Sequence, residues 1–176
     1  MPEPFFPNPD RLESAFAPGT DWLPRLLLEP TMARGGLFDG AWWPRTHDVE
    51  AELPDLITAL NAHLGRVVRV ALDPAAWDQV PRSLTVDGQA VRVGCFAAGA
   101  GTISVTRGLQ DHFLYLVVPP GFSAGSAAAA MRSAAETGNH TPAQELLVIG
   151  GGGIVPHHDR TFRFHHGGPA GSSGQT

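Results

Sequence analysis

A chain of 176 residues, 43% of them hydrophobic, is long enough for one domain with a real core and needs no disulfide or metal to hold it. The single Cys95 allows no internal disulfide, and apolar runs such as residues 113–118 are far too short to span a bilayer. A net charge of −5 argues against a duplex nucleic-acid binder, which needs a basic footprint to displace counterions. All 12 positive side chains are arginine and lysine is absent. With the load of Ala, Gly and Pro, this reads as the coding bias of a GC-rich genome rather than as chemistry. No secretory leader is recognisable, so the expectation is a soluble, cytoplasmic chain without membrane association.

Residues 1–24 are rich in proline, lack periodicity and read as an extended arm. Residues 25–29, stopped by Pro30, form a short buried strand. Gly35 and Gly36 mark a turn. Residues 37–43 form a second strand, with Leu37, Asp39 and Ala41 on one face and Phe38, Gly40 and Trp42 on the other. Val49, Leu53, Leu56, Ile57, Leu60 and Leu64 then fall on one helical face, with Thr46 or Asp48 as cap and Gly65 as stop. Pro54 lacks an interior donor, so the regular helix is expected to begin near Leu53.

Residues 66–72 read as a strand, and residues 73–77 as a turn. Residues 83–86 and 89–96, joined by Asp87-Gly88, make the clearest hairpin, with a type I′ turn pairing Leu84 with Val91. Leu84, Val86, Val91, Val93 and Cys95 then share one face. Residues 102–107 and 112–118 are further strands, the second ended by Pro119-Pro120. Ser123 caps an alanine-rich helix over residues 124–137. Residues 144–149 are a strand or a helical turn, and the remainder of 139–176 reads as a largely disordered Gly/His-rich tail.

The strongest site candidate is the corner holding Trp42, Trp43, Arg45, Thr46, His47 and Asp48. An arginine beside indole faces, at a helix start, is suited to a carboxylate or phosphate. The competing reading has Trp42 in the core and Arg45 paired with Asp48 or Glu52. In the tail, His157, His158, Asp159, His165 and His166 are good ligand types for a transition metal, but they sit among Gly, Ser and Pro with no rigid support. No dedicated metal site and no cofactor are expected. The glycine run 150–153 reads as a linker, since no Gly-Lys-Ser/Thr follows it. Cys95 reads as an inert buried thiol.

The string from Gly40 through Ala41, Trp42, Trp43, Pro44, Arg45, Thr46 and His47 to Asp48 resembles an uncharacterised actinobacterial family, a domain of unknown function. Its pattern is Gly-x-Trp-Trp-Pro-Arg-Ser/Thr-x-Asp. Glu52-Leu53-Pro54, the Leu84–Gly88 segment and Val117-Val118-Pro119-Pro120 extend the likeness across about residues 25–137. The resemblance implies no activity, cofactor or catalytic residue.

These features give an α+β expectation. An antiparallel sheet of five to seven strands, twisted or barrel-like, is covered by one amphipathic helix, with a second, Ala-rich helix. The domain should run from 25 to 138. The function expected is a non-enzymatic binding or regulatory module whose corner takes a small anionic ligand or a protein partner, with homo-oligomerisation left open. The alternative is a small enzyme with acid/base groups near Arg45, His47 and Asp48.

Overall fold

The Asp48 carboxylate starts the principal helix, α1 (Val49–Leu64), by accepting from the backbone N–H groups of Glu50 and Ala51 at 3.0 and 3.3 Å. This corrects the expected start near Leu53, because Pro54 lies inside α1. The missing Pro54 donor leaves only the Glu50 carbonyl unserved. Glu50 lies on the exposed first turn, where water can satisfy that group. Gly65, with φ 84°, ends the helix, and the Asn61 side chain accepts from the Val67 N–H. All six of the apolar residues that predicted this helix are buried.

The computed structural model describes residues 24–95 and 100–151. The arm expected before residue 24 and the histidines of the 157–166 stretch lie outside the described residues. Seven strands build one open, mixed sheet: β1 (Leu26–Leu28), β2 (Gly40–Trp42), β3 (Val67–Leu72), β4 (Ser83–Val86), β5 (Gln89–Cys95), β6 (Thr102–Arg107) and β7 (Asp111–Val117), in the order β1-β2-β7-β6-β3-β5-β4. The fold is α+β. The sheet is not wholly antiparallel, since β2 pairs with β7 and β3 with β5 in parallel. Nor does it close into a barrel, since β1 and β4 are its edges.

The β4–β5 hairpin has the expected register, Leu84 opposite Val91, and both turn residues are left-handed, Asp87 at φ 51° and Gly88 at φ 74°. Val86, Val91 and Val93 are buried. Cys95 is not: it sits at the end of β5 and is exposed, which corrects the buried thiol. Only glycine fits at residue 40, where φ is 155° and a Cβ would come within 2.2 Å of the Leu27 carbonyl oxygen.

Two cores flank the sheet. On one face α1 covers Val70, Leu72, Val91, Val93, Ile103, Val105, Phe113 and Tyr115, together with Trp42 and Trp77. On the other, α2 (Ala124–Ala134) and α3 (Ala143–Gly151) cover Ala41, Trp43, Leu116 and Val118. Phe38 packs in this second core, away from Trp42 rather than beside it, because regular alternation begins only at Gly40. Ser123 caps α2 as expected. The third helix, α3, falls where a strand or single turn and then a tail were expected. Its Leu146 and Leu147 are buried, so packing continues past residue 138. Gly150 belongs to α3: a Cβ there would meet the Ser126 carbonyl oxygen at 2.7 Å and the Ala130 Cβ at 2.9 Å. The alanines of α2 let α3 approach this closely.

Candidate functional site

The 42–48 corner is tightly built. Trp42 is 1% exposed and stacks on Trp77, with ring centroids 5.5 Å apart and planes 19° from parallel. Trp43 is 5% exposed; its indole donates to the Pro119 carbonyl, and the Arg25 guanidinium lies over its ring at 3.5 Å. Arg25 also donates to the carbonyls of Trp43 and Pro44. Thr46 donates through both its N–H and its hydroxyl to Glu52 Oε1, at 2.9 and 3.0 Å. Asp48 is the helix cap. Exposed His47 receives the Asp78 N–H at its carbonyl, and half-buried Arg45 is itself engaged. The structure therefore brings all six residues together, but turns both indole faces inward and places the acidic groups on backbone donors.

A second polar cluster fastens the loop between β1 and β2. Glu29 is 4% exposed and accepts from Thr31 (N–H and hydroxyl), the Ala33 N–H and the Thr137 hydroxyl. Burial opposes its charge, but these hydrogen bonds prevail and hold its pKa below the usual value. Asp111 bridges Arg34 and Arg107, and its pKa is lowered, first by the Arg34 hydrogen bond. Both guanidiniums lie over the Phe113 ring. Asp39 accepts from the Leu114 N–H, and burial pushes its carboxyl above the usual range. Beneath it the Tyr115 hydroxyl is buried without a hydrogen-bond partner among the described residues, and burial raises its pKa. Arg107 also donates to the Leu64 carbonyl at the end of α1, so these groups join strand, loop and helix.

The third constellation lies on the sheet face opposite α1, beyond the area that α2 and α3 cover. Strand register sets Ser83, Arg92, Arg69, Thr106 and His112 in one row across β4, β5, β3, β6 and β7. Arg69 and Arg92 are direct cross-strand partners, both exposed, and neither has a hydrogen-bond or ion-pair partner among the described residues. Thr106 Oγ1 and His112 Nδ1 are 3.0 Å apart. Val68, Gly108 and Leu109 complete an open groove of about 380 Å³ with Arg69, Arg92, Thr106 and His112. The two like charges, one strand spacing apart, repel one another across the β3–β5 pair.

A family model described as "Family of unknown function (DUF5994)" matches residues 25–134. The chain belongs to the DUF5994 family. No curated protein and no solved structure matches it. The matched span of this DUF5994 chain contains both the corner and every residue of the groove, and stops at the end of α2 before α3 begins. Among the described residues no three His, Cys, Asp or Glu side chains are grouped to hold a metal, and no helix is long and apolar enough to cross a membrane.

The DUF5994 sequence carries a faint signal for the groove. Both β3 and β5 contain Val-Arg-Val, an arginine on the polar side of an alternating strand. Attributing the arginines to coding bias hid it, and the parallel β3–β5 pairing that sets them side by side is not written locally. His112 likewise joins the row only through the β6–β7 pairing.

Proposed function

We propose that this protein is a non-catalytic binding module that takes a small anion on the open sheet face between Arg69 and Arg92. The observation that supports this reading is the adjacency of two exposed guanidiniums, neither with a partner among the described residues, set by strand register in a groove. A bound anion removes their mutual repulsion and supplies the acceptors both lack. Among the described residues that line the groove there is no acid to compete. The 42–48 corner is the less suitable binding place, because its indoles are covered and its carboxylates already accept from the backbone. The same engagement of Asp48 weighs against an acid/base centre built on Arg45, His47 and Asp48. The proposal retains the cytoplasmic setting expected from the sequence.

Calorimetric titration with inorganic phosphate at low ionic strength tests the reading. Arg69→Gln and Arg92→Gln should each weaken binding about tenfold without lowering the melting temperature, while Arg45→Gln leaves affinity unchanged. Phosphate binding that is indifferent to both groove arginines would sink the proposal.

A further inference from the structure

Resting on that reading, we infer that the anion is the phosphoryl group of a small phosphate monoester, whose organic part lies against Leu109 and Val68. Neighbouring strands are about 4.8 Å apart, so the Arg69 and Arg92 side chains rise as two forks at a spacing that straddles one phosphoryl group. Such a group offers three terminal oxygens to two forked donors, whereas a carboxylate offers two and leaves part of the donor set unmet. The Thr106–His112 pair stands next in the row. When the Thr106 hydroxyl donates to Nδ1, the ring carries its proton on Nε2 and becomes one more donor beside the groove.

The apolar side of the groove identifies the rest of the ligand. Leu109, at the β6–β7 turn, is 98% exposed, the most exposed large hydrophobic residue among those described. It lines the same groove as the arginines, together with Val68. Among the described residues no Phe, Tyr or Trp lines the groove, so these offer no platform on which a nucleobase would stack. A compact aliphatic phosphate ester meets all of these conditions.

Amide-resolved NMR titration of the full chain at low ionic strength, with inorganic phosphate, butyl phosphate and pentanoate, tests the inference. Butyl phosphate should bind about fivefold or more tightly than inorganic phosphate, and pentanoate more weakly than either. Shifts should centre on residues 68–69, 92 and 106–112. Leu109→Ser should erase the butyl advantage and leave inorganic phosphate unchanged, since this exposed side chain supports no core. Equal affinity for the two phosphates, or a butyl advantage that survives Leu109→Ser, would overturn the apolar contact while the anion site stands. Pentanoate binding as well as butyl phosphate would overturn the phosphoryl assignment. If none of the three shifts residues 69 and 92, the anion site itself falls.

Discussion

Trp42 and Trp77 lie nearly face to face, one on β2 and the other just after the 3₁₀ turn at Pro74–Ala76. The stack joins the β1–β2 end of the molecule to the connection between β3 and β4, segments that share no backbone ladder. Trp42→Ala should therefore cost about 4 kcal/mol and Trp77→Ala about 3 kcal/mol in urea unfolding. A double-mutant cycle should show about 1 kcal/mol of coupling between them. Additive losses would mean that the rings pack independently.

The corner before α1 predicts a separation of stability from binding. Asp48→Ala removes the acceptor for two backbone N–H groups and should cost about 1 kcal/mol. Phosphate affinity should not change, because the groove lies on the opposite face of the sheet. A lost affinity with unchanged melting would return attention to the corner.

The Tyr115 hydroxyl predicts a gain. Its burial without a partner carries a desolvation penalty that phenylalanine lacks. Tyr115→Phe should raise stability by about 1 kcal/mol, read as a higher denaturant midpoint with unchanged slope. A loss of stability would show that the hydroxyl makes a compensating interaction in solution.

The Glu29 carboxylate predicts a pH dependence. Its folded pKa lies below the ordinary 4.5, so the stability it contributes is present above that value and is lost as pH falls through the lowered one. Glu29→Gln should cost about 2 kcal/mol at neutral pH. As pH falls from 4.5 through the lowered pKa the difference from wild type should shrink, since both then carry an uncharged group. A difference that stays constant across this range would rule out the ionised carboxylate as the source.

What could be read in the sequence was local. The β4–β5 register followed from a two-residue turn and strict alternation, and the buried face of α1 from its spacing. Pro54 points to a later start of α1 than the Asp48 cap sets, but one missing donor near the exposed first turn is easily hydrated. α3 was missed because an apolar run such as Leu146 to Ile149 has no period that separates strand from helix, and the glycines after it resemble a linker. Gly150 is instead selected by a neighbouring helix. The groove was not legible, since each arginine sits on an ordinary polar strand face. Their adjacency exists only once β3 and β5 pair in parallel.

The parallel pairing of β2 with β7 also sets a schedule for synthesis. β1 and β2 leave the ribosome early, yet the strand that β2 docks against ends at Val117. Meanwhile α1 can settle on β3 and β4 as they emerge, since those contacts are closer in sequence. β1 and β2 thus wait for a late neighbour, with Leu27, Phe38 and Trp43, which belong to the core that α2 and α3 complete, still without cover. During translation this apolar stretch is the part of the chain most open to chaperone capture or to wrong pairing with another nascent copy.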